Sequence, residues 1–185
     1  MDRPEAKREP REALREVCGR FLRAYGPARP ADFIAWFGAA AFRAAEARAL
    51  FDELGVEEIE VEGRRSFVLP GDTSFPAPSS QVRLLSEYDV YMMGFRERDQ
   101  LIPEPVRELI ASHRRGRYEG PAATRLVLVN GVAAGLWERH KRGRRIELHV
   151  RLTRRLGKAA RTELRHEAER IGAFLGLEPV LSGSS

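Results

Sequence analysis

Cys18 is the only cysteine in 185 residues, so neither a disulfide framework nor a cysteine-based zinc site can form within the chain. Lysine is scarce too: of 32 basic residues only Lys7, Lys141 and Lys158 are lysines, which leaves 29 arginines. No apolar run approaches the roughly 20 residues of a membrane-spanning helix. The charged opening from Met1 to Arg11 is unlike a signal peptide. A bacterial cytoplasmic, nucleoid-associated protein without a membrane role is expected. None of the four histidines, His113, His140, His149 and His166, pairs with another at metal-ligand spacing. Arg170 stands where a zinc-protease motif beginning at His166 would need its second histidine. There is no glycine-rich phosphate loop, and Ser86, Glu87 and Asp89 have no partner that suggests a nucleophilic triad. The motifs therefore assign no metal, no cofactor and no catalytic residue.

What is present is unevenly spread. The net charge is +5, and an arginine- and alanine-rich composition is the ordinary product of a GC-rich genome. The distribution says more. Residues 1–62 carry 10 basic and 13 acidic side chains, whereas residues 138–161 carry 10 basic and 2 acidic ones. A field concentrated in that way attracts a polyanion; an even spread would not.

Apolar spacing predicts helices over Pro10–Tyr25, Pro30–Phe37 and about Ala40–Leu54, with Gly26-Pro27, Gly38 and Gly55 as stops. Two alternating strands follow, around Ile59–Val61 and Ser66–Leu69, with Gly63-Arg64 as the turn. Three helices and then a hairpin is the order of a winged helix-turn-helix. The fold class expected is α+β. Residues 1–9 form a disordered leader, 10–70 the winged helix-turn-helix, 71–81 a linker, and 82–185 a small antiparallel β-sheet or partial barrel with a C-terminal helix. In that last part a short helix over 103–111, strands at Thr124–Asn130, Val132–Arg139 and Arg144–Arg151, and a helix from Gly157 to Leu175 are predicted. Asn130-Gly131 and Arg142-Gly143 supply the turns.

The segment from Trp137 to Ile146 crowds Arg139, Lys141, Arg142, Arg144 and Arg145 at one hairpin tip. Like charges there repel, and a phosphate backbone would relieve the repulsion while releasing counterions. The competing reading is a solvated edge that blocks strand aggregation. Arg64 and Arg65 at the tip of the first hairpin are further phosphate contacts. The third helix offers Arg43 and Arg48 but no Asn, Gln or Lys to read base edges. Asp89, Arg96 and Arg98 are weaker candidates.

Three blocks carry a resemblance. They are Phe21-Leu-Arg-Ala-Tyr-Gly-Pro-Ala-Arg-Pro-Ala-Asp-Phe-Ile-Ala-Trp-Phe-Gly38, Leu84-Leu-Ser-Glu-Tyr-Asp-Val-Tyr-Met-Met-Gly-Phe-Arg-Glu-Arg98 and Val129-Asn-Gly-Val-Ala-Ala-Gly-Leu-Trp-Glu-Arg139. Together they resemble a winged-helix family that includes bacterial glycosylases removing alkylated purines and unhooking interstrand crosslinks. Arg29 stands where that family has a helix-capping Thr or Ser, and Ser86 where it has a proline. The resemblance covers the family's C-terminal half only. Its catalytic Gln-x-Gln or Gln-x-Asp motif lies in the other half, and neither Gln81 nor Gln100 begins such a motif here.

These readings converge on a winged-helix DNA-binding protein, non-catalytic on its own, that meets the backbone of duplex DNA through the basic hairpin. The alternative is a short or split DNA glycosylase acting on alkylated or crosslinked DNA in base excision repair, with Asp89 or Glu87 positioning water. A third reading is an interaction protein whose partner is a separate N-terminal catalytic winged-helix domain.

Overall fold

Helix α1 (Pro10–Tyr25) forms where the apolar spacing places it, and it buries Cys18, Phe21 and Leu22. The computed structural model describes residues 9–38, 42–75, 81–95, 97–113 and 120–184. Most of the expected leader, part of the expected linker and Arg96 therefore lie outside the described residues. Burial pushes the Cys18 thiol up to about 12, so it stays protonated and inert at neutral pH. No helix of the described residues is long and apolar enough to cross a membrane.

The α1 stop works differently from expectation. Gly26 is not left-handed but extended, at φ −66° and ψ 151°. Glycine is needed there for space, because a Cβ would stand 2.4 Å from the Leu22 carbonyl oxygen. After a cis Gly26–Pro27 bond, Ala28 and Phe67 exchange backbone hydrogen bonds of 3.0 and 2.9 Å. Helix α2 (Pro30–Phe37) starts without a capping side chain at Arg29. Its buried Asp32 instead accepts the Arg29 backbone N–H at 2.9 Å and the Arg29 Nε–H at 3.1 Å, the backward half of a capping box.

Helix α3 (Ala44–Leu54) begins four residues later than predicted. Arg43 sits at its N-cap, where its backbone N–H donates to Glu46 Oε2 at 2.7 Å. Strands β1 (Glu57–Val61) and β2 (Arg64–Val68) pair with Val61 opposite Arg64. The turn is thus Glu62-Gly63, one residue before the predicted pair. Both central residues have positive φ, 50° and 75°, as a two-residue hairpin of this hand requires. The core gathers Cys18, Phe21, Phe33, Leu50 and Phe51, and the ring of Phe21 lies 5.3 Å from those of Tyr25, Phe33 and Trp36.

This helical part belongs to one of two compact units, residues 1–76 with 94–96; the other comprises 77–93 with 97–185. The described residues of the second unit form a five-stranded sheet in the order β3 (Val82–Leu84), β4 (Leu126–Val129), β5 (Val132–Arg142), β6 (Arg145–Leu152) and β7 (Glu178–Ser184). Strands β3 and β7 were not expected. The expected antiparallel sheet also needs correction at its last pair, because β6 and β7 run parallel. Helix α6 (Lys158–Leu175) supplies the crossover that parallel neighbours need. It packs against both edge strands, β3 and β7, so the sheet curls around it. Leu148, Val150, Leu156, Leu164 and Ala168 share that core. Helices α4 (Val90–Met93) and α5 (Glu104–Ser112) contribute Met92, Val106 and Ile110 to a second cluster with Leu126, Leu128 and Leu136. Strand β4 is therefore buried on both faces, which explains its unbroken apolar run.

Turns fix the register. Asn130 and Gly131 both have positive φ, 53° and 82°, and Tyr91 Oη donates to the Gly131 carbonyl at 3.1 Å. In the next hairpin Arg142 pairs with Arg145, so the turn is Gly143-Arg144, one residue later than predicted, with Gly143 at φ 59°. Between the turns, the β4–β5 register slips at Ala134, and Gly135 lies so close to β6 that a Cβ would stand 2.0 Å from the Arg151 carbonyl oxygen. A Gly135→Ala change must push β6 away, and should lower unfolding free energy by about 3 kcal/mol, the upper range for a backbone clash. Urea unfolding checks this; a loss within error of zero would contradict the close approach.

Candidate nucleic-acid interface

Strand β5 changes character along its length. It is largely buried through Trp137 and exposed from Glu138 to Arg142, where it runs on past its pairing with β4, while β6 stays paired with β7 from Arg145 to Arg151. The register sets which side each cation takes. Arg139 pairs with Leu148 and Lys141 with Ile146, so both share the face that Leu148 and Ile146 turn toward α6. Arg142 and Arg145 pair with each other, and His140 with Glu147, on the opposite face. Arg144 stands in the turn.

The five cations do not simply repel one another, as the sequence reading expected. Arg142 Nε donates to Glu147 Oε2 at 3.1 Å, and Arg145 Nε to Glu178 Oε2 at 3.0 Å. The Arg142 hydrogen bond holds the Glu147 carboxyl below its ordinary value, against a smaller opposing effect of desolvation. Cross-strand carboxylates thus offset two of the charges. Arg139, Lys141 and Arg144 have no acidic partner among the described residues, and all three are exposed. These three are the cations readiest for phosphate.

The structure adds neighbours that the sequence did not bring together. His113 Nε2 lies 3.2 Å from Glu138 Oε1. The His140 and His149 rings stand 5.6 Å apart, and His149 Nδ1 meets Ser182 Oγ at 2.6 Å. The partner of His149 lies on the unforeseen β7. At the foot of the hairpin is a pocket of about 310 Å³ whose lining includes Glu87, Arg125, Trp137, Glu138 and His140. Arg125 donates to Glu87 Oε2 at 2.9 Å and lies 5.6 Å from the Trp137 ring centroid. Trp137 Nε1 donates to the Leu85 carbonyl at 2.8 Å. A carboxylate, a guanidinium and an indole therefore line one small concavity beside the basic hairpin.

The remaining candidates are mostly engaged elsewhere. Arg65 pairs with Glu58 and lies over the Phe67 ring, 5.4 Å from its centroid. Arg64 belongs to β2 and not to the turn. Arg43 is the N-cap residue of α3, and Arg48 is exposed on that helix. Asp89 Oδ1 accepts the Tyr91 backbone N–H at 2.9 Å and so supports the start of α4. Arg98 Nε donates to the Met92 carbonyl at 2.8 Å.

The sequence matches the family described as DNA glycosylase AlkZ-like over residues 1–174. It is similar to the interstrand DNA cross-link repair glycosylase of Streptomyces sahachiroi, 32% identical over 135 residues, which covers 70% of this chain and 35% of that protein. The fold is similar to the solved structure of Streptomyces sahachiroi DNA glycosylase AlkZ, with a TM-score of 0.71 and 26% identity over 95% of this chain and 46% of that one. The chain thus spans less than half the length of either relative. These likenesses favour the glycosylase alternative over the expectation of a binding protein without catalysis.

The division between paired and unpaired cations makes a measurable difference. Replacing Arg139, Lys141 and Arg144 together by alanine should reduce the salt slope of duplex binding by about 2.7, at roughly 0.9 per phosphate contact. Fluorescence anisotropy across a salt series reads the slope. An unchanged slope in the triple variant would remove these residues from the interface.

Proposed function

Because the chain belongs to the AlkZ-like family of DNA glycosylases, we propose that it is a glycosylase unit of DNA repair that engages alkylated or crosslinked duplex DNA. The family match across nearly the whole chain carries this reading. Within it, α1–α3 with the β1–β2 hairpin are read as a winged helix-turn-helix, 71–81 as the linker and 82–185 as the domain that meets DNA. The first hairpin suits DNA less well than the second. Its β1 strand is acidic, and Arg65 is already held by Glu58 and Phe67. In the β5–β6 hairpin, β5 is exposed from Glu138 to Arg142, and the hairpin carries three unpaired cations. It is therefore the element that lies along the phosphate backbone, with specificity left to the lesion and not to base sequence.

Catalysis is the second part of the proposal. A glycosylase flips its target base out of the stack, and the pocket beside Trp137 opens where a base displaced near the hairpin would arrive. Of the two carboxylates proposed to position water, Asp89 supports the start of α4, whereas Glu87, held by Arg125, lines the pocket. The Gln-x-Gln or Gln-x-Asp motif of the resemblance is supplied, in the split form of this reading, by a separate N-terminal winged-helix domain.

A base-release assay on duplex DNA carrying N7-alkylated guanine separates the two forms. Release by this chain alone, lost in Glu87→Gln, identifies a self-sufficient short glycosylase. Salt-sensitive binding without release identifies the split form. A chain that neither binds the duplex nor releases base ends the proposal.

A further inference from the structure

The two edges of the five-stranded sheet are treated differently. On β3 the Leu84 N–H points away from β4, and the buried Glu167 of α6 accepts it at 3.2 Å. That side chain closes the edge, as native sheets commonly arrange. On β7 no comparable cover exists among the described residues. The Glu178 N–H donates to the Arg144 carbonyl at 2.9 Å, so in this parallel pairing Glu178, Val180 and Ser182 turn their backbone groups toward β6. Pro179, Leu181 and Gly183 turn theirs outward. Pro179 has no N–H to offer. The outward donors and acceptors are therefore concentrated at Leu181 and Gly183.

Those same two residues line a groove of about 640 Å³ between β7 and the first half of α6. Its floor is apolar, built from Leu152, Leu156, Leu164 and Leu181. Gly183 keeps the floor low; a Cβ there would stand 2.3 Å from a Val150 methyl. The rim is cationic. Arg155, Arg161 and Arg165 border it, all three are exposed, and none has an acidic partner among the described residues. Arg161 and Arg165 are four apart on α6, so they stand on one side of the helix.

We infer that this groove is a docking site for an extended, acidic and apolar segment of a partner protein, which adds to β7 as a sixth strand. The chemistry follows from the three features together. Free main-chain groups at Leu181 and Gly183 receive a strand backbone. Every second side chain of that strand faces the floor, so it is apolar. Carboxylates flanking those positions meet Arg155, Arg161 and Arg165 through charge-assisted hydrogen bonds. The site lies apart from the basic tip at Arg139–Arg145 and does not depend on the glycosylase reading.

The test uses the whole chain and a fluorescein-labelled peptide of alternating Glu and Val, read by anisotropy at low salt. The peptide should bind, and Arg161→Glu with Arg165→Glu should weaken it by about tenfold or more, the loss of at least one charge-assisted contact. Both positions are exposed on α6, so this variant should fold; circular dichroism checks it, and Arg161→Gln with Arg165→Gln replaces it if it does not. Alternating Lys and Val, alternating Glu and Ser, and Glu and Val with alternate amides N-methylated should each bind far more weakly. Equal binding of the N-methylated peptide would overturn strand addition, and equal binding by the variant would overturn the arginine rim. If the variant instead loses duplex DNA and DNA displaces the peptide, the surface serves nucleic acid. If wild type dimerises in sedimentation and the variant does not, the occupant is a second copy. Either result rejects the proposal.

Discussion

The register of β5 on β6 is the constraint on which the rest of the candidate interface depends. It is held at one end by the close approach of Gly135 to the Arg151 carbonyl and at the other by the two-residue turn at Gly143-Arg144. A slip of one residue would exchange the faces of every side chain in the hairpin. Ile146, Leu148 and Val150 would leave the α6 core, and Arg145 and His149 would enter it. Burial of the apolar set thus decides where each cation points. The sorting of Arg139 and Lys141 to one face, with Arg142 and Arg145 on the other, follows from packing alone.

That sorting changes the electrostatic picture. A run of arginines in sequence reads as one repelling cluster. Folded, it becomes two offset pairs and three unpaired cations, because Glu147 and Glu178 arrive from neighbouring strands. Exposed pairs of this kind add little to stability; their effect is to leave a smaller and better defined set of charges for a polyanion. Strand β6 stays in the core as far as Ile146, while β5 is solvated from Glu138 to Arg142. A cationic element held in the sheet in this way can follow a phosphate backbone without itself folding on contact.

Much of this was legible in the chain. The three N-terminal helices and the β4–β5–β6 strands follow from apolar spacing, and Asn130-Gly131 names its own turn. Other features were not. Both of the remaining hairpin turns fall one residue from their predicted places, one earlier and one later, because the strand pairing sets whether the glycine takes the first or the second turn position. Strand β7 reads Glu-Pro-Val-Leu-Ser-Gly-Ser, whose proline and glycine argue against a strand; it pairs only because α6 carries the chain back across the sheet. The partner of Arg145 lies on that unseen strand, so its pairing could not be anticipated. Arg29 at a helix start looked like a missing cap, and the compensation by Asp32 three residues on is visible only once the carboxylate is placed. Family membership, in contrast, was carried by the blocks around Tyr25, Asp89 and Trp137, whose residues serve mainly core packing and turn geometry.

Hydrogen–deuterium exchange with and without a short duplex at low salt tests the central claim most directly. Contact through the β5–β6 hairpin predicts slowed exchange in the backbone amides of residues 139–149, with α3 unchanged. Protection of Ala44–Leu54 with the hairpin unaffected would contradict it and return the DNA contact to the helix.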